Sequence, residues 1–440
     1  MRTIFITLLL FCAATSSIAQ NSKIKVYFTR PVDNTISAVA DGIHVSNMDD
    51  TICAYINKAQ QTLDMAIYDN TSSKIVSCIN AAYQRGVRVR YITSSASLNT
   101  ALSGLNAGIN KLVRSSYVDI MHNKFTLIDV GSATNSYVLS GSMNYTSGNM
   151  FEDPNNFIII QDQALVQAYT TEFEEMWGSS TAMYDLNNSK FGDAKSDNTP
   201  HSFNINGTSV NLYFSPSDGT TAHIESAINS CNADFYFAMF TFNQNDLGDA
   251  TIALKNSGKI VKGIMENIDY LGSEYPGFIS AGVDVLSHNT IAGSFHHKYG
   301  LVDPNNISSD PLVIAGSHNW TNSAETDYDE NTLIIHDAYI ANQYYEEFMT
   351  RYNEIITGIN TKNSVEKTLR IISNPVHEYL TWNFPEALFL YMSDVSGRKI
   401  NIESKASYGQ SLDVRSLPKG VYFAYFQMGN SHQVLKVVKM

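Results

Sequence analysis

The sequence predicts an α/β protein: two tandem copies of one unit, each a mixed sheet covered by helices, followed by a small all-β sandwich. Three observations carry this reading. The order of apolar segments repeats once along the chain, strand-like and helix-like segments alternate within each copy, and after Gly358 the texture changes to short β-rich runs between turn residues. A chain of 440 residues, 44% of them hydrophobic, is long enough for two or three domains with separate cores.

The copies open on Val26-Tyr27-Phe28 and Leu212-Tyr213-Phe214. Helical segments follow near 52–60 and 222–230, then apolar strands at 63–68 and 235–240. Second amphipathic helices, near 74–83 and 247–255, end at Gly86 and Gly258, as glycine commonly ends a helix. Strands at 87–92 (VRVRYI) and 260–265 (IVKGIM) come next, then Ala107-Gly108-Ile109 and Ala281-Gly282-Val283. A histidine-bearing strand and a short β-rich run (157–160, 332–335) follow, and helices at 163–176 and 338–356 close the copies. The offset between copies is 186 at the first strand and 172 to 175 later, which places the extra residues of the first copy in a polar loop at 31–48. Residues 178–206, rich in Ser, Asn, Asp and Gly, read as a linker. The domains are therefore expected at 20–177 and 207–358, with the β-sandwich at 367–440 and its strands at 369–372, 387–392, 400–403, 421–427 and 434–438.

Residues 1–19 read as an export signal: Arg2, an apolar run over Ile4–Ala14, and Ser17-Ile18-Ala19 before Gln20. That run is too short to span a bilayer, and no later one is apolar enough, so the mature protein is expected to be soluble and exported. Cys12 leaves with the signal. Cys53, Cys78 and Cys231 sit in apolar helical patterns and read as buried free thiols, although one pair is possible. The formal charge of −13 is uneven: residues 367–440 hold nine Lys/Arg against five Asp/Glu, and with Arg2 set aside, residues 20–366 carry −18. Such a body repels a long polyanion or an anionic membrane, but not a zwitterionic surface or a small phosphodiester.

Each copy carries His-x-Lys, four residues, then Asp: His122, Lys124 and Asp129, and His296, Lys298 and Asp303. Each leads to Gly-Ser-x-Asn, at Gly141-Ser142-Met143-Asn144 and Gly316-Ser317-His318-Asn319. On a strand, residues two apart share a face, so each histidine sits beside its lysine, while Asn123 and His297 point away. His296 and His297 cannot jointly chelate a metal, and each Asp has the wrong parity to touch its histidine, so Asp129 and Asp303 read as turn-fixing. Lysine neutralises a phosphoryl oxygen, imidazole attacks phosphorus or donates a proton, and the hydroxyl and amide donors hold transition-state charge without a metal or cofactor. In-line displacement at a phosphodiester calls for one neutral and one protonated histidine, which two facing copies supply. His288, His297 and His318 read as structural or rim residues.

These paired motifs resemble the phospholipase D superfamily over about residues 24–356. The resemblance implies two α/β/α domains with mixed sheets packed around one cleft, and a metal-independent phosphohistidine mechanism. His122 would attack and His296 would protonate the leaving alcohol. Lys124, Lys298, Asn144 and Asn319 would hold the phosphate, with Ser142 and Ser317 in support. Asn155 and Glu330 stand at matching positions after the two motifs. The carboxylate of Glu330 is expected to orient His122 across the cleft, with Glu152 and Asp153 as competing acids near Asn155.

In the tail, Asn374-Pro375-Val376, Asp394-Val395-Ser396-Gly397-Arg398, Leu417-Pro418-Lys419-Gly420-Val421-Tyr422, Lys436 and Lys439 resemble a type IX secretion sorting domain. That implies export across an outer membrane, leaving the protein secreted or on the cell surface. Three functions fit: a secreted phospholipase D, a secreted nuclease acting on DNA or RNA with the same residues, and a non-catalytic binding protein retaining the fold. The acidic body favours a phospholipid, with peripheral membrane contact. Lys111 and Arg114 would instead suit a nucleic acid, and the aromatic run Phe235–Phe242 reads as core rather than as a lipid face. Two motif sets in one chain make a monomer sufficient.

Overall fold

The computed structural model describes residues 20–116, 118–358, 376–382, 388–400, 411–428 and 431–440. The expected export signal, the strand at 369–372 and Asn374-Pro375 lie outside them. The chain forms two compact units that divide between Thr361 and Lys362. In the first unit, the first half runs β1 (Ile24–Phe28), α1 (Met48–Ile56), β2 (Thr62–Ile67), α2 (Ser73–Gln84), β3 (Arg88–Thr93), β4 (Asn110–Val113), β5 (Lys124–Ile128), β6 (Tyr137–Gly141), β7 (Asn156–Ile160) and α3 (Gln163–Trp177). The second half runs β8 (Ser202–Ile205), β9 (Thr208–Ser215), α4 (Thr220–Asn229), β10 (Asp234–Met239), α5 (Asn245–Asn256), β11 (Ile260–Met265), α6 (Tyr275–Ser280), β12 (Asp284–Ser287), β13 (Lys298–Val302), β14 (Leu312–Gly316), α7 (Asn322–Thr326), β15 (Glu330–His336) and α8 (Ala338–Thr357).

The sheets share one order, β1-β7-β6-β5-β2-β3-β4 and β9-β15-β14-β13-β10-β11-β12, with β8 added beside β9. Only β2-β3-β4 and β10-β11-β12 are parallel neighbours, so both sheets are mixed. The strands β5, β7, β13 and β14 are buried throughout, Lys124 and Lys298 at the starts of β5 and β13 included. The closing helices are framed alike. Asp162 and Asp337 cap α3 and α8 by accepting from Leu165 N and Ile340 N, and Gly178 and Gly358 end them at positive φ.

The core explains why the halves form one body. One apolar cluster joins Phe28, Phe125, Tyr169 and Phe173 of the first half to Phe214, Tyr299, Tyr344 and Phe348 of the second. It lies between the sheets and contains α3 and α8; separate clusters fill the outer faces under α1–α2 and under α4–α6. The polar loop at 31–48 crosses onto α8 of the other half, where Gly42 N donates to Glu346 Oε2 (2.7 Å) and Ala40 N to Asn342 Oδ1 (3.2 Å).

Asp129 and Asp303 stand at the turns after β5 and β13, both at positive φ. The Asp129 carboxylate accepts from the backbone N–H groups of Gln60, Gln61 and Thr62. Asp303 accepts from those of Asn232, Ala233 and Asp234. Each pins the end of the histidine strand to the start of its neighbour, β2 or β10.

Two expectations are corrected. Cys53 and Cys78 are not free thiols: they form a disulfide between α1 and α2, whose packed faces bring their Cα atoms to 5.7 Å. Cys231 alone is free, among the described residues, and buried. The segment 178–206 is not only a linker. Its end forms β8, paired to β9 through Asn206-Gly207, both at positive φ as a two-residue hairpin requires. The polar composition concealed that hairpin signal. In the tail unit, a four-stranded sheet joins β17 (Leu388–Asp394), β18 (Lys399–Ile400), β20 (Gly420–Met428) and β21 (Ser431–Lys439), and a two-stranded one joins β16 (Tyr379–Thr381) to β19 (Ser411–Asp413). Trp382, Phe389 and Phe426 pack at its centre. Asp394 closes the β17–β18 turn by accepting from Ser396 N and Arg398 N, around Gly397 at positive φ. Among the described residues no helix is long and apolar enough to cross a membrane.

Asp303→Ala removes the acceptor for three backbone donors and places a Cβ residue without a polar side chain at positive φ. It is expected to lower unfolding free energy by about 3 kcal/mol, and Asp303→Asn by less, measured by urea denaturation.

Candidate active site

His122 and His296 lie just before β5 and β13 and are anchored on the opposite half. His122 N donates to the Asp329 carbonyl and His296 N to the Pro154 carbonyl, both at 3.0 Å. The next side chain of each loop then meets an imidazole. Glu330 Oε1 lies 2.6 Å from His122 Nδ1, and Asn155 Oδ1 lies 3.0 Å from His296 Nδ1. Each half thus orients the histidine of the other, one with a carboxylate and one with an amide. Glu152 is exposed, and Asp153 accepts from Ser294 N and Asn149 Nδ2, so neither acid is the partner of His296.

Behind these pairs the glycines of Gly-Ser-x-Asn permit close approach. A Cβ on Gly141 would sit 2.5 Å from the Asn156 carbonyl oxygen, and one on Gly316 would sit 2.1 Å from that of Asn331. Ser142 Oγ therefore reaches Asn155 Oδ1 (2.9 Å). Both serines also accept from a neighbouring amide, of Asn156 or of Asn331. Ser142, Ser317 and Asn155, expected to support the phosphate, are all buried beside the histidines; Ser142 bonds Asn155, which meets His296. A second crossing layer lies beneath, with Asn331 Nδ2 donating to Asn123 Oδ1 (2.9 Å) and Asn156 Nδ2 3.3 Å from His297 Nδ1.

Lys124 Nζ donates to the His122 carbonyl (2.9 Å) and Lys298 Nζ to that of His296 (3.2 Å), so each lysine shares the face of its histidine. Asn144 and Asn319 each bury a carboxamide oxygen that accepts no hydrogen bond. Burial and crowding of like charges dominate the electrostatics. Burial, then Lys124 and Lys298, hold the His122 pKa well below the usual histidine range. Burial, Lys298, Lys124 and His122 do the same to His296. Burial brings Lys124 down to about 7, against the pull of Glu330 and Asp69. Burial brings Glu330 up to about 7, against Lys124 and the other cations.

Several participants carry no legible motif. The Tyr68 ring packs 4.7 Å from His122 and 5.1 Å from Lys124 Nζ; Phe240 does the same at 4.9 Å from His296 and 5.1 Å from Lys298 Nζ. Their offset of 172 was the available signal. Phe235, Phe237 and Phe242 of the aromatic run are core. His297 is buried against Glu347 (3.0 Å), and His288 lies 3.1 Å from Glu266. His318 is buried under α7 with neither ring nitrogen hydrogen-bonded, and burial lowers its pKa to about 4. Arg114 is paired to Asp119 (3.1 Å), and Lys111 reaches the Leu102 carbonyl (3.5 Å).

A buried charge network supports Glu330 from behind. Lys195, from the segment between the halves, meets Glu172 (2.5 Å) and Asp329 (3.2 Å), and Gly192 N donates to Asp329 (2.9 Å). Burial works against the Lys195 charge, yet the two carboxylates carry its pKa above the usual lysine range. Burial lifts Glu172 to about 7. Among the described residues, the cluster with metal-ligand geometry is Asp197, His201 and Asp218, and its atoms are engaged with one another, Leu212 O and Phe214 N.

A family profile described as "Cardiolipin synthase, PLD-like domain" matches residues 52–177 and 224–352, covering both motif sets. A second, "Secretion system C-terminal sorting domain", matches residues 370–440. The chain is similar to mitochondrial cardiolipin hydrolases: 36% identical to that of Xenopus tropicalis over 119 residues, 26% of this chain and 53% of the relative. To that of Drosophila melanogaster it is 30% identical over 147 residues, 29% of this chain and 57% of the relative. It thus spans about half the length of these curated relatives. Among solved structures, a polyphosphate kinase from Porphyromonas gingivalis has the same fold, with a TM-score of 0.50 at 11% identity over 75% of this chain and 50% of that one.

Lys195→Met leaves Glu172 and Asp329 buried without a cation and is expected to cost about 3–5 kcal/mol in urea unfolding. Burial raises both carboxylates, so the folded form of the variant gains protons as pH falls. The deficit should therefore be larger at pH 8 than at pH 6.

Proposed function

The chain belongs to the phospholipase D-like family, and on that premise we propose that it is a secreted phosphodiesterase. It hydrolyses a phospholipid to phosphatidic acid and the head-group alcohol through a phosphohistidine. The observation that carries this is the reciprocal pairing of Glu330 with His122 and Asn155 with His296 around two buried lysines.

Lys124, Lys298, Asn144 and Asn319 bind the diester's oxygens. Nε2 of neutral His122 attacks phosphorus, and the bond to the head-group oxygen breaks. His296 gives that oxygen its proton. Water then attacks the phosphorus of the phosphohistidine, its proton passes to His296, and the P–N bond breaks to release phosphatidic acid and restore His122. Glu330 holds the His122 Nδ1–H and stabilises the positive charge that develops on the ring, which an amide does less well, so the asymmetry assigns nucleophile and acid. Burial and the neighbouring lysines disfavour a protonated His296. The arriving diester anion offsets the lysine charges and lets it take up its proton. The lysines supply the countercharge, so the scheme is written without a metal or cofactor.

The names of the cardiolipin hydrolase relatives and the acidic body support a lipid diester over nucleic acid, and the engagement of Lys111 and Arg114 removes two cations from any nucleic-acid track. Both motif sets lie in one chain, so a monomer suffices. The sorting tail directs export by the type IX route.

Offered phosphatidylcholine vesicles or plasmid and single-stranded DNA with EDTA present, the protein is expected to release choline and leave DNA intact. DNA nicking alone would move the function to a nuclease, and loss of activity with EDTA would overturn the scheme. Glu330→Gln should slow phosphohistidine formation at least tenfold in single-turnover quench experiments. The kcat/KM profile should peak near pH 7: below it Glu330 gains a proton, above it Lys124 loses its charge. The acid limb should weaken in Glu330→Gln.

A further inference from the structure

The loops that rim the two histidines carry large apolar side chains in solvent: Leu98 (39% exposed), Val118 (67%), Tyr270 (58%) and Leu271 (91%). They come from three loops and both halves. Residues 94–99 hang from Tyr68, whose carbonyl accepts from Ser94 Oγ (2.6 Å) and Asn99 Nδ2 (2.9 Å), and the Tyr68 ring lies on His122. Residues 118–121 run directly into His122. Residues 266–274 are tied to the other histidine, since Asn267 N donates to the Phe240 carbonyl (3.0 Å) and the Phe240 ring lies on His296.

The rim is also poor in charge. Residues 94–99 contain no ionisable side chain, Arg114 and Asp119 neutralise each other, and of the carboxylates in 266–274 only Asp269 is exposed. Behind it stands a body, residues 20–366, of formal charge −18. Isolated exposed apolar residues are ordinary on a protein surface, and this body has others at Met183, Leu186 and Ile307; a set gathered on the loops beside both histidines marks an interaction site. Apolar tips bury in the head-group and acyl boundary, and tyrosine suits that depth. The acidic body excludes an anionic surface at short range.

We propose that this rim is the docking surface for a zwitterionic lipid bilayer, seating the cleft on the interface so that a diester enters without leaving the membrane. The inference rests on the lipid reading above and adds the partner surface.

The test uses the full chain with His122→Ala, so that vesicles stay intact, in co-sedimentation. Phosphatidylcholine vesicles should bind, and phosphatidylglycerol vesicles should bind more weakly at low salt. Adding Leu98→Ser, Val118→Ser and Leu271→Ser should weaken phosphatidylcholine binding at least tenfold. On the active chain, the same three substitutions should leave hydrolysis of soluble bis(p-nitrophenyl) phosphate within twofold, which also shows that the variant folds. No binding to phosphatidylcholine, equal binding by the substituted chain, tighter binding to phosphatidylglycerol, or rim-dependent binding of single-stranded DNA would each overturn the proposal. Rim-dependent vesicle binding without lipid hydrolysis would support the docking surface and sink the lipase reading. Lipid hydrolysis indifferent to the rim would do the reverse.

Discussion

Neither half of this protein holds its own histidine. His122 takes its orientation from Glu330 and His296 from Asn155, and the backbone of each histidine segment is hydrogen-bonded to the loop that supplies that partner. Most of the architecture serves this exchange. α3 and α8 fill the space between the sheets with one shared apolar cluster, which fixes the distance between the halves. The crossing amides of Asn331 on Asn123 and Asn156 toward His297 leave no freedom to slide. Lys195, from between the halves, holds Asp329 next to Glu330. A single copy would fold around half a site and lack the side chain that orients its imidazole.

The same constraint makes the cleft electrostatically uncomfortable. Two lysines and two histidines lie together in a buried region with Glu330; burial and the lysines push both histidines toward neutrality, and Lys124 does the same to Lys298. A monoanionic ligand relieves that crowding, so affinity for the anion and readiness for proton transfer come from one source. Metal-binding sites solve a similar problem with a fixed cation; here the positive charge resides in groups that can release it.

Much of this was legible in the sequence, because a duplication prints each structural constraint twice. The repeat exposed the succession of strands and helices, the histidine–lysine pairs, and the matched positions of Asn155 and Glu330. Gly141 and Gly316 announced close backbone approach in the same way. What stayed hidden was what occurs once or depends on tertiary distance. Cys53 and Cys78 meet only because two helices pack, and nothing in their separation of 25 residues says so. Lys195 is one of two lysines in a polar segment, and its buried partners Glu172 and Asp329 come from other elements. Ser142 and Ser317 were legible as site residues but not as buried ones, since a motif gives residue types and not the direction of a hydroxyl.

The disulfide has a consequence for where this enzyme can mature. It closes a loop that contains β2, the strand leading to Tyr68, and a cross-link of that span adds about 3 kcal/mol that a reducing cytosol withholds. A chain exported as proposed would gain this cross-link once it leaves the reducing cytosol, and would be comparatively frail before then.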